Sequence, residues 1–221
     1  MDIIDADAVD VTEKVLDNVD STGTVKIILL DVDGVLLDWA TGFDQFMTYK
    51  GFKKRAGSEE AYMMNERYLD VTYEQAKEFI VEFNNSEFTM ELTPLRDAVE
   101  GIKTLYENNY RFIAITSHST DSMACFRRRW LLNTLFNSVF PDIRNLPTGA
   151  HKDEDLEPFR GSNFWWIEDK TENALAGLER GLRCILMHHD FNAEDQHEGL
   201  TRAHNWQEIV DIILSTSGKN H

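Results

Sequence analysis

Only two cysteines occur in the 221 residues, Cys125 and Cys184, and each lies in a segment that reads as buried helix or strand. Reduced core thiols are expected, which argues against a disulfide framework and against a cysteine metal centre. No apolar run approaches the ~20 residues that a bilayer-spanning helix needs. Basic residues are scarce too: 22 Lys and Arg stand against 39 Asp and Glu, a formal net charge of −17. That balance argues against general affinity for nucleic acid or for an anionic membrane. The opening Met1-Asp2-Ile3-Ile4-Asp5-Ala6-Asp7 is acidic where a secretory signal is basic and then apolar, which predicts a cytoplasmic protein. Asn84-Asn85-Ser86 matches a glycosylation sequon, without consequence if the chain is not secreted.

What is present reads as alternating strands and helices. Residues 1–24 carry seven acids and one lysine, and Asp10-Val11-Thr12-Glu13 followed by Val15, Leu16 and Val19 predicts a short amphipathic helix. Val25–Leu30 is a compact β-branched run that ends in Asp-Val-Asp-Gly, the pattern of a buried central strand of a parallel sheet. From about Trp39 to Asn85 the texture is helical. Thr72-Tyr73-Glu74-Gln75 forms a second capping box, and Ala76, Phe79, Ile80 and Phe83 give its helix an apolar face. Thr93-Pro94 predicts the start of a helix with Leu95, Ala98, Val99, Ile102, Leu105 and Tyr106 as its apolar stripe.

Further strands are expected at Tyr110–Ile115, Phe164–Ile167 and Arg183–Met187. A helix from about Ser122 to Phe136 would carry Met123, Phe126, Trp130 and Phe136 inward, and others start near Glu172 and Trp206. Between Ser117 and Lys152 there is room for a helix and a short strand. The expected fold is therefore α/β: a doubly wound, Rossmann-like, mostly parallel sheet with a small helical cap inserted after the first strand. The expected division is an acidic segment over 1–24, a core over 25–38 and 93–217, and a helical cap over 39–92.

Three strands end in polar groups along one sheet edge: Asp31 and Asp33, then Thr116 and Ser117, then Glu168 and Asp169. Lys152 precedes the third in a loop, with Lys170 as its rival. Of two aspartates spaced i and i+2 around a Gly34 turn, one can act as nucleophile and the other can shuttle a proton. Carboxylates converging from separate strands repel one another, and Mg²⁺ is a hard cation that accepts a few carboxylates, waters and phosphate oxygens. A hydroxyl and a lysine suit the remaining oxygens of a phosphoryl group.

Asp31-Val32-Asp33-Gly34-Val35 resembles the first motif of the haloacid dehalogenase superfamily, and Ile113-Ala114-Ile115-Thr116 is similar to its second. Lys152 sits where the third motif has a lysine, and Ile167-Glu168-Asp169 with Asn173 resembles the acidic fourth. A calcium-loop reading of Asp-x-Asp-Gly fails, because no ligand series with a terminal Glu follows. The resemblance implies a phosphohydrolase in which Asp31 attacks phosphorus and Asp33 acts as acid and then base. Thr116 and the Ser117 amide would bind the phosphoryl group, and Lys152 would neutralise charge. Asp169 would hold Mg²⁺ with Asp31 and the carbonyl of Asp33, with Glu168 assisting.

Asp33 points to phosphatase or mutase chemistry, since family ATPases carry threonine there. Glu91-Leu92-Thr93-Pro94, Ile115-Thr116-Ser117, Ile167-Glu168-Asp169-Lys170 and Asn205-Trp206-Gln207-Glu208-Ile209 are similar to the 5'(3')-deoxyribonucleotidase group, which usually has two aspartates where Glu168-Asp169 stands. A nucleoside monophosphate is the implied substrate and partner. Phe43 and Phe46 of the cap are candidates to stack its base, although aromatics at helical spacing are more often core, and His118 is a candidate either to touch it or to lie at the surface. A sugar-phosphate phosphatase, a phosphomutase or a non-catalytic binding protein on the same fold are the competing readings. His188 and His189 would form a metal pair only with a third ligand. Asp38 is expected to cap the first helix of the insertion. The clusters Lys50, Lys53, Lys54, Arg55 and Arg127-Arg128-Arg129 are expected to be solvated faces balanced by nearby acids, with guidance of an anionic substrate toward the cleft as the alternative.

Overall fold

A computed structural model describes residues 26–58, 61 and 63–217. The acidic segment 1–24 and the helix expected in it lie outside the described residues. Six strands form one parallel sheet: β1 (Lys26–Leu30), β2 (Tyr110–Thr116), β3 (Asp142–Asn145), β4 (Trp165–Glu168), β5 (Arg183–Met187) and β6 (Leu200–Ala203). Their spatial order is β3-β2-β1-β4-β5-β6, and every neighbouring pair is parallel. The direction of winding therefore reverses between β1 and β4. Loops leaving those two strands diverge and open a crevice at their carboxyl ends.

Continuous apolar strands follow from burial on both faces. In β1, Ile28 and Leu30 enter one core layer, and Ile27 and Leu29 enter the other. The first layer is closed by α4 (Ala98–Glu107), α5 (Ser122–Leu135) and α8 (Trp206–Ser217), the second by α6 (Asp153–Leu156) and α7 (Thr171–Leu178). The short strand expected between Ser117 and Lys152 is β3. The polar Leu200-Thr201-Arg202-Ala203 of β6 has no strand-like pattern, and an edge position with only one neighbour explains why. Among the described residues no helix is long and apolar enough to cross a membrane.

Between β1 and β2 lie α1 (Trp39–Tyr49), α2 (Met64–Arg67), α3 (Tyr73–Asn85) and a 3-10 turn at Glu87–Glu91. Asp38 caps α1 by accepting the Thr41 amide at 3.0 Å. Thr72 and Gln75 cap α3 reciprocally, at 3.3 and 3.0 Å. Both ends of the insertion are tied together: Thr93 accepts the Asp38 amide and Leu95 donates to Leu36.

That pairing corrects the expected helix start at Thr93-Pro94. The backbone of 93–95 is used to close the insertion, and α4 begins only at Ala98, after Asp97 in a left-handed conformation. The apolar stripe of α4 is also narrower than expected, since Val99 and Tyr106 are exposed.

A larger correction concerns α5. Met123, Phe126 and Trp130 face outward, at 52, 60 and 45% exposure, while Ala124, Arg128, Leu131 and Leu132 face the core. Phe136, just past the helix, is buried as expected.

Candidate active site

Register brings the functional strand ends side by side. Leu30 pairs with Ala114 on one side and Ile167 on the other, and the Asp31 amide still donates to Ile167 at 2.9 Å. Asp31 and Glu168 thus stand level, with Thr116 and Asp169 each one residue further along. Carboxylate oxygens of Asp31, Glu168 and Asp169 all lie within 4.8 Å of one another.

Gly34 makes this approach possible. Its φ of +80° suits glycine, and a Cβ there would lie 2.0 Å from Asp169 Oδ2. His189 fixes the same turn, its Nε2 2.7 Å from the Gly34 carbonyl oxygen. Asn192 donates to the Asp169 carbonyl at 2.7 Å and to the Met187 carbonyl at 2.8 Å.

Lys152 is the buried lysine of the site. Its Nζ lies 2.6 Å from Asp31 Oδ1 and 2.8 Å from Glu168 Oε2. Burial opposes its charge, but the Asp31 and Glu168 carboxylates outweigh that and raise its pKa. The rival Lys170 instead reaches Glu172, at 3.0 Å.

Glu168 is fully engaged. Besides Lys152 it accepts from Asn173 Nδ2 at 3.1 Å and from the Lys170 amide at 3.2 Å. These bonds make it a brace for the lysine as much as a metal neighbour.

Two buried carboxylates and the partly buried Asp169 meet around a single ammonium, so their ionised forms carry an excess of negative charge. Burial and then Glu168 push Asp31 up to about 7, and burial and then Asp31 push Asp169 up to about 8. Burial also raises Glu168. A divalent cation matches that excess, and all-oxygen donors match Mg²⁺.

Asp33 stands apart from this cluster. Its carboxylate is bound by both terminal nitrogens of Arg128, Nη1 to Oδ1 at 2.5 Å and Nη2 to Oδ2 at 3.0 Å. Arg128 was placed among solvated basic residues, and its 1% exposure corrects that. The core positions 124, 131 and 132 of α5 put residue 128 on the same face, a spacing that identifies it once the inward face is assigned correctly. Other members of the basic clusters are paired as expected, Lys50 with Glu82 and Lys54 with Asp44, each at 2.7 Å.

The Thr116 hydroxyl is buried with no hydrogen-bond partner among the described residues, so it has capacity to bind a further group. Ser117 is different: its hydroxyl donates to Ala150 at 2.8 Å and its carbonyl accepts from Gly149 at 3.1 Å. The Ser117 side chain therefore holds the loop that carries Lys152.

His118 lies in the interior, which corrects the surface position expected as one of its two readings. It is 1% exposed, and burial and then Arg128 push it down to about 4, so the ring is neutral at pH 7. Its carbonyl accepts from Asn84 at 2.9 Å and from the Thr148 hydroxyl, which ties α3 to the core.

Phe43 and Phe46 are corrected as well. At 1 and 3% exposure they pack among aromatics: Phe43 stacks on Trp39 at 4.7 Å, and Phe46 meets Phe88 at 5.4 Å. Their faces are covered by neighbouring rings, not open to a base. His188 has no metal-pair geometry either; it packs on His204 at 4.4 Å and contacts Arg202.

The chain is similar to several known proteins. A haloacid dehalogenase-like hydrolase from Streptococcus pneumoniae shares the fold, with TM-score 0.58 at 14% identity over 86% of this chain and 98% of that one. A nucleotidase from Clostridium acetobutylicum is 23% identical over 84% of this chain and 92% of that protein. An uncharacterised protein of the Gp30-rIII intergenic region of Enterobacteria phage T4 is 28% identical over 58% of this chain, but the match spans only 47% of the phage protein. Residues 25–219 match the family model described as "5' nucleotidase, deoxy (Pyrimidine), cytosolic type C protein". The chain belongs to that family, and its fold is that of the haloacid dehalogenase-like hydrolase.

Proposed function

We propose that this protein is a Mg²⁺-dependent phosphomonoesterase that passes the phosphoryl group through the Asp31 carboxylate, with a deoxynucleoside monophosphate as its favoured substrate. The observation that carries the chemistry is the cluster of Asp31, Asp169 and Glu168, with buried Lys152 paired to Asp31 and Glu168. Asp31 attacks phosphorus and forms an aspartyl-phosphate, while Asp33 gives a proton to the leaving oxygen. Asp33 then takes a proton from the water that releases phosphate. Thr116 donates its unpartnered hydroxyl to a phosphoryl oxygen, and Lys152 holds positive charge beside the nucleophile throughout.

The side chains of Asp31 and Asp169 and the carbonyl of Asp33 would hold Mg²⁺, with Glu168 alongside. The ion would offset the repulsion between the carboxylates and an anionic substrate. Residues 39–92 act as a cap that closes over the leaving group and excludes water.

Preference for a nucleotide rests on the family and not on the cap aromatics, because Phe43 and Phe46 are interior. That burial keeps a second reading open, a phosphatase of sugar phosphates or other small metabolites. Phosphate release from nucleoside monophosphates, sugar phosphates and p-nitrophenyl phosphate, with and without Mg²⁺, separates the two. The expected result is activity only with the metal and highest kcat/KM on a deoxynucleotide. No nucleotide turned over better than p-nitrophenyl phosphate would end the nucleotidase reading, and full activity in chelator would end the metal reading.

A further inference from the structure

We infer that Arg128 is a positioning residue that sets the orientation of the Asp33 carboxylate for proton transfer to the leaving group. The inference rests on the proposed acid–base role of Asp33 and adds a residue to that machinery.

The geometry is specific. A planar guanidinium that meets both carboxylate oxygens fixes the plane of the carboxylate as well as its distance, which a single donor cannot do. The pair joins α5 to the loop after β1 across 95 positions of sequence. Arg128 is 1% exposed at its side chain and Asp33 22%, so the guanidinium is interior while the carboxylate keeps access to solvent. Both terminal nitrogens are engaged by Asp33, and the buried Nε has no partner among the described residues. A carboxylate has about four lone-pair sites, and the two not facing Arg128 stay available for a proton.

The proton-transfer step itself is simple. As the Asp31 oxygen bonds to phosphorus and the bond to the leaving oxygen breaks, the proton on Asp33 moves to that oxygen. An aryl oxygen such as p-nitrophenolate leaves without it, and an alkyl oxygen does not. A group that aims the proton donor therefore matters most for poor leaving groups. A group that only binds phosphate matters equally for all.

The test compares kcat/KM over a series of aryl and alkyl monophosphates for the wild type, Arg128→Ala, Arg128→Lys and Asp33→Asn, each checked for folding by circular dichroism. Because kcat/KM reports steps up to departure of the leaving group, hydrolysis of the aspartyl-phosphate does not mask the effect. Arg128→Ala and Arg128→Lys are expected to lose roughly 10- to 100-fold on alkyl esters, part of the 10²–10⁴ that general acid catalysis supplies, and several-fold less on p-nitrophenyl phosphate. Added guanidinium is expected to restore Arg128→Ala in part. Lysine retains the charge and much of the volume, so it keeps the test open if the alanine variant fails to fold.

An equal loss across the series, or a lysine variant matching the wild type, overturns the inference while leaving the role of Asp33 intact. If Asp33→Asn itself shows no dependence on the leaving group, the acid–base reading has failed and the inference falls with it.

Discussion

Asp31→Asn is expected to lower kcat/KM for phosphate release by at least about 10⁴-fold, as removal of a covalent nucleophile does. The fold should survive. The substitution is nearly isosteric, and it removes one negative charge from a group whose members already raise one another's pKa. Lys152 keeps its partner Glu168 at 2.8 Å. The expected melting temperature in the absence of metal is therefore equal to or above that of the wild type. A variant that lost activity only by unfolding would show a large drop instead, and a variant with wild-type turnover would remove Asp31 from the chemistry.

Lys152→Met carries the second large effect, on both activity and stability. Loss of a preorganised cation beside the transferring group is expected to cost about 10²–10³ in kcat. It also leaves Asp31 and Glu168 without their buried counter-ion. The direction with pH follows from linkage. Asp31 has a folded pKa of about 7 against an ordinary 3.8, so the folded state binds that proton more tightly, and stability is lost as pH rises through about 7. Lys152 lowers the Asp31 pKa, so its removal raises that pKa further and deepens the loss above neutrality. In metal-free buffer the melting temperature of the variant should fall further below that of the wild type at about pH 8.5 than at about pH 6. A difference that does not change with pH would mean that Lys152 does not hold these carboxylates.

Much of this site was legible in the sequence because its parts are strand ends. Apolar runs such as Ile27–Leu30 and Trp165–Ile167 are buried on both faces, so they stand out by composition, and their polar terminators mark the sheet edge. Gly34 was legible for a related reason, as a turn that only a residue without a side chain can make beside Asp169.

The helices were harder to read. Trp130, Phe126 and Met123 pointed to the wrong inward face of α5, because a large aromatic is no proof of burial when an ion pair needs the interior position. Arg128 was hidden by that error. Phe43 and Phe46 misled in the other direction: in a small insertion the aromatics are needed for its own core before any can serve a ligand. The edge strand β6 and the bracing residues His189 and Asn192 had no periodic signal, since their roles are hydrogen bonds to backbone carbonyls fixed only by the fold.

The central claim is that phosphoryl transfer passes through Asp31, and direct trapping of the phosphoenzyme tests it. Enzyme mixed with substrate and Mg²⁺ is quenched in acid within a turnover, reduced with borohydride, digested and sequenced by mass spectrometry. An acyl phosphate is reduced to the alcohol, so the account predicts homoserine at position 31 and unchanged aspartate at 33 and 169. Reduction at another residue, or none while substrate is being consumed, would contradict it.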